Sequence, residues 1–372
     1  MDEMKAHELE CIQCNKCMLN CPLNRVDPTY SPRGYILQLL GEGDENFVKD
    51  SDLYRCLTCF QCKEICPSSN KYVDSVKEAR KKARDDDFCD ECKHGNILRT
   101  IQEMQANLDV PQNRVEDLDP EMFAQSGDTL YFMGCLPIFD EVFPHTKSIS
   151  TAQNTLKIMN KAGVKPVVSN DEKCCGYDLL WSGEEKTFQA LAKKNLKFFK
   201  ELGIKKIVTS CAECLVTLKE EYAKIEDVEW EVQHITQFAA EKIKNGELKL
   251  DKEVAEKMTY HDPCRLGRVS KVYDEPRFIL DQIKGLEVVE MENIRENSSC
   301  CGVGNFSNCD SCTKFLQADR LKEAEETGAE HLLTACPKCR IHFNCYLDGK
   351  PIEELREFEI TDITEIIAKA LD

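Results

Sequence analysis

Cysteine spacing is the first chemistry legible in this chain. The run Cys11, Cys14, Cys17, Cys21-Pro22 recurs as Cys56, Cys59, Cys62, Cys66-Pro67, with every cysteine displaced by 45 positions. A Cys-x2-Cys-x2-Cys-x3-Cys-Pro run supplies thiolates for a [4Fe-4S] cubane, and in two-cluster arrangements the fourth cysteine of each run serves the other cluster. One cubane is therefore expected on Cys11, Cys14, Cys17 and Cys66, and a second on Cys56, Cys59, Cys62 and Cys21. Tetrahedral zinc competes with this reading, although zinc sites favour paired Cys-x2-Cys elements over a four-cysteine run closed by proline.

A longer repeat follows. Cys135, Cys174-Cys175-Gly176, Cys211 and Cys214 return as Cys264, Cys300-Cys301-Gly302, Cys336 and Cys339, with displacements of 129, 126 and 125. Each copy offers five thiolates where a cubane uses four. The fifth is either a reactive thiol beside a cluster or a ligand to a cluster with more than four. The glycine after each cysteine pair suggests a tight turn close to a metal. Buried structural cysteines with a small zinc site would have to explain why all five recur. Two further pairs, Cys89-x2-Cys92 and Cys309-x2-Cys312, have the composition of a four-thiolate zinc or iron site, or are reduced pairs facing solvent. Cys345 reads as a small buried hydrophobe.

The elements that would position these residues follow from periodicity. Leu130 to Met133 is a strand-like run ending at Gly134-Cys135. Ala152, Leu156 and Met159 fall on one helical face, capped by Gly163 ahead of a strand at Val164 to Val168. Phe188, Leu191, Ala192 and Phe199 form a second helical face, closed by Gly203. The strand Ile204 to Val208 then runs into Ser210-Cys211. The second copy repeats the order: Phe278 to Ile283, Val288-Val289, Phe315 to Ala324, Gly328, and Leu332-Leu333 before Cys336. Cysteines thus lie past the C-terminal ends of strands, the edge where open α/β sheets bind ligands. The fold class expected is a multidomain mix of α+β and α/β. An α-helical, two-cluster ferredoxin-like domain (1–106) precedes a linker (107–127) and two pseudo-repeated α/β domains (128–255 and 256–372).

The 372 residues carry 23 cysteines and a formal charge of −18. That acidity argues against nucleic-acid partners, which need a basic patch. An acidic N-terminus without an apolar run, and no stretch of about 20 apolar residues, point to a cytoplasmic protein with no signal peptide or transmembrane segment. Reduced, metal-binding cysteines fit that setting better than disulfides do. Gly302-Val303-Gly304 lacks the rest of a dinucleotide fingerprint, so no flavin or nucleotide site is expected.

With the N-terminal runs and both Cys-Cys-Gly motifs in place, and Tyr260-His261-Asp262-Pro263-Cys264 before the second, the chain resembles the D subunit of heterodisulfide reductase, a fusion of B-like and C-like subunits, over nearly its whole length. The resemblance implies that each five-cysteine motif holds a non-cubane [4Fe-4S] cluster: Cys135, Cys174, Cys175, Cys211 and Cys214 the first, Cys264, Cys300, Cys301, Cys336 and Cys339 the second. It implies an enzyme that reduces a small disulfide, such as that of coenzymes M and B, at these paired clusters. His261 is a candidate proton donor, or a histidine ordering the strand end. Arg265, Arg268 and Arg340 are candidate contacts to an anionic substrate. Electrons would come from a partner protein: a flavin-containing subunit, a hydrogenase, a formate dehydrogenase or a membrane cytochrome. The iron-sulfur subunits of glycerol-3-phosphate dehydrogenase, glycolate oxidase and thiol:fumarate reductase look similar, which leaves an electron-transfer subunit as the alternative. A component that keeps its clusters without turnover is a third reading.

Overall fold

A computed structural model describes residues 10–41, 51–86, 88, 94–306, 309–349, 355 and 359–371. Cys89 and Cys92, half of the expected four-thiolate site, lie outside the described residues.

Alternating short apolar strands and amphipathic helices produce two parallel sheets. The first contains β1 (Thr129–Phe132), β2 (Lys206–Thr209) and β3 (Glu231–His234) in the order β1-β2-β3. Its register sets Leu130 beside Ile207 and Ile207 beside Val232. The second contains β4 (Lys257–His261), β5 (Glu287–Val288), β6 (His331–Thr334) and β7 (Glu359–Asp362) in the order β5-β4-β6-β7. All pairings are parallel, which requires crossover segments between neighbours. Helices Ser148–Lys161, Glu185–Leu202 and Ile235–Lys244 accompany the first sheet, and Asp274–Asp281, Ser311–Glu326 and Ile363–Ala370 the second.

Two details depart from the expectation. The run Val164 to Val168 makes no full strand. Only Val167 pairs, bridging Ala124 and Leu130, because Pro166 has no N–H to continue a ladder. Conversely, β3 and β7 are polar and short, so they carry little strand signal. Each ends on the N-cap of the next helix: His234 Nδ1 accepts from Thr236 N–H at 3.3 Å, and Asp362 Oδ1 accepts from Thr364 N–H at 2.9 Å.

The N-terminal region is built of short helices, and Tyr72–Asp85 anchors it to the first sheet domain. That helix buries Val73, Val76, Ala79 and Ala83. From it Arg80, fully buried, donates to the carbonyls of Leu53 (3.0 Å), Cys56 (2.7 Å) and Trp181 (2.8 Å). Gly183 lies against this helix at φ +91°, where a Cβ would stand 2.3 Å from the Arg80 carbonyl oxygen. No side chain can give way, since the obstacle is backbone. Gly183→Ala is therefore expected to destabilise the chain by at least about 3 kcal/mol through combined strain and overpacking. Chemical denaturation of the purified variant checks this; an unchanged midpoint would show that the packing is looser than described.

Candidate metal centre

The N-terminal cysteines gather through a backbone that repeats as the sequence does. Gln13 and Asn15 in the first loop have φ of 56° and 65°, and Thr58 and Phe60, 45 positions on, have 48° and 64°. Two non-glycine residues in the left-handed region bend each loop around a cavity. Cys11, Cys14, Cys17 and Cys66 line one cavity, and Cys21, Cys56 and Cys59 line the other. Cys62 lines both. The structure thus brings Cys66 to the first run and Cys21 to the second. Backbone N–H groups of Thr58 and Asn70 point at the sulfurs of Cys56 and Cys66, each at 3.4 Å. Burial pushes the Cys17, Cys21 and Cys62 thiols up, and neighbouring sulfurs add to the rise.

The first long motif assembles at the carboxyl ends of β1 and β2. Cys135 follows β1 directly after the Met133-Gly134 turn, and Cys211 follows β2 after Ser210. Cys135 Sγ lies 2.8 Å from Cys174 Sγ, and Cys214 Sγ 3.4 Å from Cys175 Sγ. These four and Cys211 line one void with Met133, Phe139, Tyr177, Asp178, Glu213 and Lys338. Gly176, at φ +83°, makes the expected tight turn, and a Cβ there would strike Phe188 at 2.8 Å. The sulfurs share protons: Cys174 and Cys211 are held well below the usual thiol range by hydrogen bonds from neighbouring thiols, while Cys135 and Cys214, as donors, are pushed well above it.

The second motif is built likewise beyond β4 and β6. Cys264, Cys300, Cys301, Cys339 and Cys336 follow one another closely enough for each thiol to shift its neighbour's protonation. Gly302 takes φ +84° and sends its N–H to Cys300 Sγ at 3.4 Å. His261 is buried, with donor atoms of His261, Cys301 and Cys339 within 4.8 Å of one another. Its Nδ1 accepts from Arg320 Nε at 3.2 Å, and burial pulls the imidazole below its ordinary value. A neutral ring with its remaining N–H toward Cys301 orders that sulfur.

The four cysteine sets touch in a single file. Cys62 joins the two N-terminal cavities, while Cys300 lies close enough to Cys59, and Cys336 to Cys211, for each thiol to shift the other's protonation. The order along the file is the Cys11 set, the Cys56 set, the Cys264 set and the Cys135 set. Buried soft thiolates, backbone N–H donors to sulfur, glycines that admit close approach and voids among the sulfurs together fit iron-sulfur clusters.

Several supporting residues gave no clear signal in the sequence. Arg114 is buried in the stretch expected to be a linker; it bonds the Gly134 carbonyl and pairs with Glu172 at 2.8 Å. Glu172 also accepts from Gly134 N–H at 2.9 Å. Burial pushes this carboxyl up to about 7 even with Arg114 beside it. Gln105 accepts the Cys174 N–H at 2.9 Å. Lys338 is buried against Asp178 and lies 2.5 Å from Glu213. Glu213 and Lys338 occupy the same slot of the two Cys-x2-Cys elements, 125 residues apart, so the repeat itself could have flagged them.

Other expectations move. Arg268 donates to the carbonyls of Cys59 (2.7 Å) and Ser298 (2.7 Å), Arg265 donates to Tyr177 Oη (2.7 Å) and Thr58 Oγ1 (2.9 Å), and Arg340 pairs with Glu365 at 2.6 Å. All three are buried. Interior partners engage them, while Arg265 Nη1, Arg268 Nη2 and Arg340 Nε are buried without a hydrogen bond. Cys309 is exposed, and Cys312 takes a contact from Arg55 at 3.6 Å. Cys345 is half-buried, and burial raises its thiol with Cys309 contributing.

Comparison with known proteins agrees with this layout. A cysteine-rich domain family, CCG, matches residues 129–219 and 258–344, and a 4Fe-4S dicluster domain family matches residues 8–70. The chain is 28% identical to the D subunit of the dihydromethanophenazine:CoB--CoM heterodisulfide reductase of Methanosarcina acetivorans, across 97% of this chain and 93% of that one. It is 27% identical to the B subunit of the fumarate reductase (CoM/CoB) of Methanothermobacter marburgensis, across 96% and 71%. It is 26% identical to the EtfAB:quinone oxidoreductase of Syntrophomonas wolfei, across 97% and 58%. A solved hypothetical protein from Helicobacter pylori shares the fold, with a TM-score of 0.52, 11% identity, and coverage of 94% of this chain and 76% of that one.

The Arg114–Glu172 pair supplies a direct test. Glu172→Gln keeps the shape but leaves a buried guanidinium unpaired, so about 3–5 kcal/mol of stability is expected to be lost. Denaturation of the variant, with its bound iron counted, checks this; wild-type stability would mean that the pair does not hold the Gly134 turn.

Proposed function

We propose, for a chain that belongs to the CCG-domain iron-sulfur oxidoreductases related to the D subunit of heterodisulfide reductase, that it relays electrons to a small disulfide and reduces it to two thiols. One observation carries the reading: the four cysteine sets neighbour one another in succession, from the exposed Cys14 to the void around Cys135. In that succession, Cys11, Cys14, Cys17 and Cys66, and Cys56, Cys59, Cys62 and Cys21, would hold two cubanes, and the two five-cysteine motifs two further clusters. When bound, the clusters supply one electron each, and cleaving a disulfide consumes two electrons and two protons.

The residues of the chain support both ends of this path. Cys14 is exposed, and the large apolar residues Ile12 and Leu19 beside it are 65% and 76% exposed. That end suits electron input from a partner protein: a flavin-containing subunit, a hydrogenase, a formate dehydrogenase or a membrane cytochrome. At the other end Cys135 is half-buried while its four companions are buried. Two and three residues beyond it, Pro137 and Ile138 line a groove with Ile101, Met104 and Ile149. Glu116, Asp117, Asp140 and Glu141 also line that groove. Their charge favours a neutral or weakly charged disulfide over a strongly anionic one. No helix among the described residues is long and apolar enough to cross a membrane.

The alternative, an electron-transfer subunit, uses the same file to deliver to a flavoprotein, and the relatives named as a fumarate reductase subunit and an EtfAB:quinone oxidoreductase favour it. Anaerobic purification separates the two. About sixteen irons per chain and oxidation of reduced viologen that depends on a disulfide are expected, with Cys135→Ser slowing turnover by at least about 100-fold. About eight irons, or full iron without disulfide-dependent oxidation, would overturn the reductase reading.

A further inference from the structure

The two five-cysteine sets are copies in spacing, yet their surroundings differ in charge at corresponding positions. Around the first cysteine of each, at an offset of 129, the second copy has His261, Arg265 and Arg268 where the first has Phe132, Leu136 and Phe139. Around the Cys-Cys-Gly turn, at an offset of 126, the first has Glu172 and Asp178 where the second has Ser298 and Gly304. Within the last Cys-x2-Cys, the first has Glu213 and the second Lys338, and both side chains line the void of the first set.

Ion pairs cancel part of this difference. Glu172 is neutralised by Arg114, and Asp262 by Arg277 in a two-pronged contact at 2.8 and 2.9 Å. Arg320 pairs with Glu323 at 2.6 Å. Lys338 answers both Asp178 and Glu213, two carboxyls to one ammonium. Arg265 and Arg268 have no carboxylate at salt-bridge distance among the described residues. Arg265 is enclosed by the rings of Trp181 (4.4 Å), Phe60 (4.6 Å) and Tyr177 (5.1 Å). Arg268 spends its donors on carbonyls, and its Nη2 is buried without a hydrogen-bond partner. Its charge is felt by Cys59, Cys264 and Cys300 together. Arg268 therefore stands at the junction where the N-terminal file meets the second set.

We propose that the two sets are electrostatically unequal by construction, the Cys264 set being the more readily reduced and the one that receives each electron from the N-terminal region, with Arg268 as the positioning residue of that junction. The inference rests on the reading above that both sets hold iron-sulfur clusters. A buried guanidinium stabilises added negative charge in a low-dielectric interior, and so raises the reduction potential beside it. One electron leaves the Cys56 set, which is thereby oxidised, and reduces the Cys264 set across the Cys59–Cys300 contact. The donor protein restores it. The Cys135 set, with Phe132, Leu136 and Phe139 where the other has His261, Arg265 and Arg268, then receives its electron from the Cys264 set where Cys336 neighbours Cys211.

The test is a potentiometric titration of the anaerobically purified full chain, followed by electron paramagnetic resonance, with signals assigned by Cys264→Ser and Cys135→Ser. The wild type is expected to show two separate midpoints for the five-cysteine sets, the higher lost in Cys264→Ser. Arg268→Gln is expected to lower that midpoint by about 59 mV or more, a tenfold change in electron partition for a one-electron couple. Arg268→Lys keeps most of the wild-type value, and the lower midpoint stays in place in both variants. A shared midpoint, the reverse assignment, or an unmoved midpoint in an iron-replete Arg268→Gln protein would overturn the proposal. Should Arg268→Gln lose iron, the wild-type order of midpoints and Arg268→Lys still decide it. Failure of the underlying reading is seen separately, as about eight irons in the wild type.

Discussion

Crowding of buried sulfur is the constraint on which this structure depends. Eighteen cysteines are drawn into four sets, and most of their thiols lie where water cannot stabilise a thiolate. Sulfurs this close can share protons, as Cys135 and Cys174 do, but they cannot all ionise without a compensating cation. Polynuclear iron answers that charge, so the metal and the fold of this interior are one problem. The protein's own cations are too few to do it, and several are answered by carboxylates: Lys338 by Asp178 and Glu213, Arg114 by Glu172, Arg320 by Glu323.

The backbone is shaped around the same demand. Four residues with positive φ turn the N-terminal loops, and Gly176 and Gly302 turn the two cysteine pairs, so that N–H groups face sulfur. Parallel strands then deliver Cys135, Cys211, Cys264 and Cys336 to one kind of sheet edge. The Arg114–Glu172 pair clamps the turn before Cys135 from a segment whose composition suggests only a connector. That segment is thereby part of the site's support.

Much of this was legible because a cluster fixes its ligands by spacing. The displacement of 45 between Cys11 and Cys56, and those of 125 to 129 between the long motifs, exposed the repeats without any knowledge of the fold. Helices such as Glu185–Leu202 could be read because a single apolar face is buried. The polar strands β3 and β7 could not, since their pairing is decided by the sheet they join. Adjacency in sequence says nothing of direction: Arg265 and Arg268 stand beside Cys264 in the chain, and their side chains turn inward to Tyr177 and to the Cys59 carbonyl. His261 sits where its motif suggested, though its neutral, Arg320-braced ring suits ordering of Cys301.

The two five-cysteine sets repeat in spacing and differ in the residues around them. Phe139 and Arg268 occupy the same position, one apolar and one cationic, and Glu213 and Lys338 occupy another, with opposite charge. The central claim beneath this is that the eighteen cysteines hold clusters of two kinds, four-thiolate and five-thiolate. Mössbauer spectroscopy of protein enriched in 57Fe tests that most directly. Two classes of iron environment in about equal amounts are expected. A spectrum accounted for by cubane iron alone would contradict that claim.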